Sequence, residues 1–377
     1  MNNEDKLRIF VANNVLSDII FQAEDNSKTT HDLLYKVLRS CQTTDIYVSE
    51  KYPEQLPIEV DLFCKSYGNF PHADRCDFIS NIPLNPSSVL KEPTSVFLLD
   101  IDTDTAKDIR EKYGVICFAK EDAYKAGPML MDDNKEYSTE IGKDFLLGWD
   151  TVLAGIKDLP SNSLIISDRY LFSNNKTIKG EGMKNLRQIL QLLLPMKWSE
   201  RDSGFHYHIM IIFDPEKIYG DEKFQDIATK IISFVTSIRK YTITVEILGV
   251  TGWMKDNDIY NRLHNRRIVS NYYIVKAEQQ IAAFDGTKGT CCQTITPQRF
   301  FTEDSLIKKT NSSSPKQSIH QLIEVLEEFD PNKRIGEKGY TAYYYRVATN
   351  KDNVKSMCKN LINRLLTKKK SIVVKVF

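Results

Sequence analysis

Apolar positions along the chain alternate between two kinds of segment. LRIFVANNVL (7–16) is a short apolar run with β-branched residues and reads as a strand. In THDLLYKVLRSC (30–41), Leu33, Leu34, Val37 and Leu38 share one helical face. DIYVS (45–49) is a second short strand, and the Pro-, Asn- and Ser-rich stretch 50–93 reads as irregular. SVFLLDI (95–101) is an almost uninterrupted apolar strand, the type buried on both faces of a parallel sheet. A helix starts at Thr103 and stops at Gly114, and VICFA (115–119) is the next strand. Strands alternating with helices predict an α/β domain over 1–120. The polar stretch 121–149, with Gly127-Pro128 and Asp132-Asp133-Asn134, predicts a linker.

The pattern then resumes. SLIISDRYLF (163–172) is a strand ending in a polar cluster, and MKNLRQILQLLLP (183–195) an amphipathic helix stopped by Pro195. HYHIMIIFD (206–214), TITVEILGV (242–250) and RRIVSNYYIVKA (266–277) read as strands, with a long amphipathic helix at 223–240. These make a second α/β domain over 150–307. KKTNSSSPKQ (308–317) is linker-like, and 318–377 predicts a small α+β extension: a helix at 318–329, a strand at 340–348 and a helix at 354–366. The expected fold is therefore two α/β domains with mainly parallel or mixed sheets, plus this appendage.

Composition narrows the class only a little. Hydrophobic residues make up 41% and charged residues 27%, as in ordinary globular proteins. No run approaches the roughly 18 apolar residues of a membrane span, and MNNEDKLRIF lacks the apolar core of a secretory signal. The expectation is a cytoplasmic protein. The seven cysteines include the adjacent pair Cys291 and Cys292 but no CxxC spacing, so they read as reduced thiols. The net charge of +1 means that polyanion binding must come from a local patch. The strongest such patch is 353–377, with seven basic side chains and no acid. Lys368, Lys369 and Lys370 are its candidate nucleic-acid contacts, or simply a solvated run before a final strand, SIVVKVF. Tyr343, Tyr344 and Tyr345 could stack on bases.

Candidate chemistry sits in each domain. HNRRIVSN runs from His264 to Asn271, and keeps the spacing His, one residue, a base, four residues, a polar residue. Phospholipase D-type phosphodiesterases carry His, any residue, Lys, four residues, then Asp. There the His attacks phosphorus and the Lys holds a phosphate oxygen. With Arg266 for the Lys, Asn271 for the Asp, and a strand ending at Asp168 before it, the second domain resembles a degenerate, single-motif phospholipase D-like domain. The resemblance implies a phosphate site made of His264, Arg266, Asn271 and Asp168. Arg266 would clamp the phosphate bidentately. Hydrolysis would need a homodimer that brings two motifs together. The same residues also read as ordinary strand-start residues near a turn. His206 and His208 alternate onto one strand face, as a metal pair or as a hydrogen-bonded rim.

In the first domain, SVFLLDIDTDTAKDIREKYGVICF runs a strand into Asp100 and Asp102, then a helix and a "GV" strand. This resembles PIN-type nucleases more weakly. That resemblance implies Asp100, Asp102 and Asp18 as catalytic acids, with Mg²⁺ or Mn²⁺ on Asp100 and Asp102. Asn13 and Asn14 stand where the acid of the first strand would fall. Capping of the following helix explains Asp102 and Asp104 equally well. The function expected from these features is recognition of nucleic acid, DNA or RNA, in a bacterial defence or repair setting, with metal-dependent cleavage added if Asp18, Asp100 and Asp102 converge. The alternative is a non-catalytic interaction protein whose second domain binds a protein partner or a phosphate-bearing ligand.

Overall fold

Strand and helix boundaries follow the chain's punctuation. The computed structural model describes residues 6–24, 29–50, 56–132, 135–173, 181–198, 206–218, 220–250, 266–302, 306 and 342–349. The first part runs β1 (Leu7–Val11), α1 (Asn13–Glu24), α2 (Thr29–Leu38), β2 (Thr44–Val48), α3 (Ile58–Tyr67), α4 (Cys76–Asn81), β3 (Ser95–Leu99), α5 (Thr103–Tyr113) and β4 (Ile116–Ala119). β1 stops at Val11, so the apolar run 7–16 is a strand that turns directly into a helix rather than one strand. Likewise the stretch expected to be irregular carries α3, α4 and a 3-10 helix (Pro86–Lys91). These helices are only six to ten residues long and are separated by Pro- and Gly-containing turns, so none is long enough to show a helical period.

β1 to β4 form a parallel sheet of order β2-β1-β3-β4. Alternation splits its side chains between two cores. Ile9, Val11, Val96, Leu98 and Ile116 face α1, α2 and α3, while Phe10, Phe97, Leu99 and Cys117 face α4 and α5. The chain leaves β1 toward β2, then crosses back to β3 on the other side, so the strand order reverses between β1 and β3.

The second part adds α6 (Ala126–Leu130), β5 (Tyr137–Thr139), α7 (Trp149–Val152), β6 (Ser163–Ser167), α8 (Glu181–Leu193), β7 (Tyr207–Phe213), α9 (Phe224–Ile238) and β8 (Ile243–Val250). It continues with β9 (Arg266–Val269), β10 (Tyr273–Ala277), β11 (Phe284–Asp285), β12 (Lys288–Gly289), β13 (Gln293–Arg299) and β14 (Ala342–Ala348). Its mixed sheet has eight strands in the order β14-β8-β7-β6-β9-β10-β13-β5. β6, β7 and β8 are parallel; β9, β10, β13, β5 and β14 join antiparallel. The protein is thus an α/β protein. Residues 266–277, expected as one strand, are a hairpin that turns at Ser270–Tyr272.

The expected linker 121–149 packs on the first sheet and pairs into the second. Ala123, Ala126 and Leu130 pack under β1, β3 and β4, and β5 forms one edge of the second sheet. β14, expected in a separate appendage, is the opposite edge. One hydrophobic cluster also runs from the α5 face of the first sheet into the α8 and α9 face of the second.

The junction is polar at its centre. The Ser270–Tyr272 turn inserts beneath β3 and β4. Asn271 Nδ2 donates to Pro93 O and Gly114 O at 3.0 Å each, and its Oδ1 accepts from the Asn162 amide at 3.3 Å. Tyr272 Oη donates to Ser95 O at 2.5 Å and accepts from the Ile116 amide at 3.1 Å. Gly114 has φ +63°, and a Cβ there would lie 2.0 Å from Ser161 O. Only glycine meets both demands.

Candidate functional site

Every parallel strand of the first sheet releases a polar residue at its carboxyl end. After β1 come Asn13 and Asn14; after β2, Ser49 and Glu50; after β3, Asp100; after β4, Lys120. Between the ends of β1, β2 and β3 lies a crevice of about 510 Å³, lined by Asn13, Asn14, Ser49, Glu50 and Asp100, with Pro57, Ile79 and Pro83 among its walls. Open parallel sheets bind ligands at this position, outside the carboxyl ends where the strand order reverses.

The amino end of α1 opens on this crevice. The Asn13 amide donates to Ser49 Oγ at 3.2 Å, and the Val15 and Leu16 amides both return to Ala12 O at 3.0 Å. Asn14 Nδ2 donates to Asp100 Oδ2 at 2.7 Å, a bond that ties β3 to α1. Asp18, one turn further along α1, pairs with Lys120 Nζ at 2.9 Å. Asp18 and then Asp100 hold the Lys120 ammonium above its ordinary pKa, because both favour its charged form.

The expected catalytic acids therefore divide. Asp18 and Asp100 flank Lys120 at the carboxyl edge. Asp102 turns the other way and caps α5: Oδ1 accepts from the Thr105 amide at 2.8 Å and Oδ2 from the Thr105 hydroxyl at 2.6 Å. The Thr105 hydroxyl, and then its amide, lower the Asp102 pKa. Asp100 and Asp102 thus engage different partners, Asn14 and Thr105. With Asp18 held by Lys120 and Asp102 by Thr105, this donor set does not fit Mg²⁺ or Mn²⁺ held by the protein alone. No group of three His, Cys, Asp or Glu placed to hold a metal occurs among the described residues.

The expected phosphate residues of the second domain also divide. Asp168 follows β6 and is fully buried; its oxygens accept from the Tyr170 amide at 2.8 Å and the Ile281 amide at 2.7 Å. Burial raises its pKa despite these two amides and the nearby Arg266. Arg266 lies at the same end of the sheet, its guanidinium 5.9 Å from the Tyr170 ring centre and donating to Glu278 O at 2.8 Å. Asn271 is at the opposite end of β9, fully buried in the junction. It cannot share a phosphate with Arg266, because the strand between them sets their separation. His264 and Lys368, Lys369 and Lys370 lie outside the described residues. His206 Nδ1 meets Thr244 Oγ1 at 3.3 Å and His208 Nε2 meets Glu246 Oε2 at 3.1 Å, so the two His engage β8. Cys291 is a buried and Cys292 an exposed free thiol.

Sequence reasoning missed Ser49, Glu50 and Lys120. Their signal was positional: each directly follows a strand whose neighbours are parallel. Searches against protein-family models and against curated proteins return no match to this chain. Among the described residues no helix is long and apolar enough to cross a membrane.

Proposed function

We propose that this protein recognises nucleic acid without cleaving it, and that the carboxyl edge of the first sheet is the contact. The observation that carries this reading is the crevice at the β1/β3 reversal, with the amino end of α1 inside it and Lys120 beside it. A helix amino terminus and an ammonium both favour a phosphate. The basic segment 353–377 supports a polymeric ligand over a small one, because its seven cations suit a chain of phosphates.

Fluorescence anisotropy with single-stranded and duplex oligonucleotides over a salt series tests the reading. Affinity should fall steeply with salt, and replacing Lys368, Lys369 and Lys370 by Gln should lower the slope by up to about three. Lys120→Ala should weaken binding, whereas Asp102→Asn, which keeps an acceptor for the Thr105 amide, should leave it unchanged. Absence of binding to any oligonucleotide at low salt sinks the proposal. Cleavage that requires Mn²⁺ and vanishes in Asp100→Ala overturns the binding-only form of it.

A further inference from the structure

The carboxyl ends of α2 and α3 meet at an aromatic corner of the surface. Tyr67, the last residue of α3, is 37% exposed, and Phe70 is 59% exposed. The Tyr67 ring packs edge-on against the Tyr35 ring of α2 at 5.8 Å and lies 5.2 Å from the buried Phe63 ring. The Arg39 guanidinium, exposed just past the end of α2, sits 5.8 Å from the centre of the same Tyr67 ring.

Single exposed apolar residues are ordinary, but these are held in place. Gly68 stops α3 at φ +68°, a conformation that favours glycine, and returns its amide to Cys64 O at 2.7 Å. The next residue, Asn69, is buried, and its Nδ2 donates to Leu38 O at 2.5 Å, which ties the turn to the end of α2. The turn that carries Phe70 is thus fixed without using the Phe70 ring. A surface held in advance loses less freedom when a ligand settles on it.

Charge and position select the occupant. The lysines of the corner are already matched, Lys36 with Asp32 at 2.7 Å and Lys65 with Asp61 at 2.6 Å. Arg39 faces a ring instead, and among the described residues no carboxylate pairs with it. Exposed ring faces beside an exposed guanidinium suit a ligand made of flat bases and phosphates, because every base can stack on an aromatic ring and arginine adds a cation–π or phosphate contact. The corner also lies at the far end of a helix that begins at the crevice. Pro57, the residue that precedes the first turn of α3, is part of the crevice lining. Ten helical residues rise about 15 Å, so a strand held at the crevice reaches Tyr67 within a few nucleotides.

We propose that this corner is a stacking platform for the unpaired bases of a single-stranded nucleic acid, with Phe70 and Tyr67 carrying the stacks and Arg39 the adjoining phosphate. The inference rests on the nucleic-acid reading above and adds to it the form of the ligand.

The test uses the full chain and fluorescence anisotropy with two labelled strands of equal length: a single-stranded DNA, and an abasic strand that keeps the phosphates and lacks the bases. The wild type should bind the base-bearing strand about fivefold or more tightly than the abasic one, the low end of the value of one base stack. Phe70→Ala should remove most of that preference while leaving abasic binding, the salt slope and the melting temperature unchanged, since the ring is exposed and no charge is lost. Phe70→Trp should retain the preference. Arg39→Gln should lower the salt slope by about 0.7, the single-strand value for one phosphate. The comparison of the two strands needs no variant, so it stands even if a substitution disturbs the fold. Equal affinity for both strands overturns the platform, leaving phosphate binding intact and the corner to a protein partner. A base preference that survives Phe70→Ala overturns the assignment to this corner. Binding of neither strand removes both proposals.

Discussion

Asn271 separates a catalytic reading of the second domain from a structural one. In the phosphodiesterase pattern its position holds Asp, so Asn271→Asp would restore the acid of that pattern. In the structure that substitution breaks the junction. Pro93 O keeps a donor, since Asn162 Nδ2 also reaches it at 2.9 Å. Asp keeps an acceptor for the Asn162 amide but no donor for Gly114 O, and Ala leaves both Gly114 O and the Asn162 amide without a partner among the bonds described at the junction. Each orphaned group is unfavourable by about 1–3 kcal/mol, so Asn271→Ala should lose about 2–5 kcal/mol of a total stability that is typically about 5–15 kcal/mol. Asn271→Asp should lose more at neutral pH, because a buried carboxylate would face two carbonyl oxygens. Protonation relieves it: the carboxyl can then donate to one of them. Its folded pKa should therefore lie above the unfolded value of about 3.9, so the variant is most stable relative to Ala below about pH 4 and loses that advantage as pH rises through the folded pKa. Urea unfolding followed by the fluorescence of buried Trp149 measures both effects. An Asn271→Asp protein within about 0.5 kcal/mol of the wild type at pH 7 refutes the argument.

Two further outcomes follow from single residues. Gly114→Ala should destabilise the protein by more than the roughly 1 kcal/mol of an ordinary left-handed glycine, because its Cβ meets Ser161 O at 2.0 Å; a melting temperature equal to wild type would show that the junction can open without loss. Asp168, whose pKa is raised by burial, contributes most below the unfolded carboxylate pKa, and its contribution declines as pH rises through the folded value. The stability difference between wild type and Asp168→Asn, from urea melts over pH 4 to 8, should shrink with rising pH; a difference that grows would mean that the two amides outweigh desolvation.

Local pattern was enough for the elements whose apolar spacing is unambiguous. β3, α5 and β4 fall where their apolar residues, the Asp102 cap and the Gly114 stop place them, since each signal acts within a few residues. The alternation of strand and helix likewise carried the α/β class. Pairing across the chain was not local. Whether 121–149 joins or separates two domains depends on surfaces supplied by β13 and by α2, far away in sequence. The spacing from His264 to Asn271 reads as one motif along the chain, yet β9 puts Arg266 and Asn271 at its opposite ends. The crevice was invisible for the same reason. Asn13, Glu50 and Asp100 are polar residues without a shared motif, and they become one site only because parallel strands must all end on the same side of their sheet.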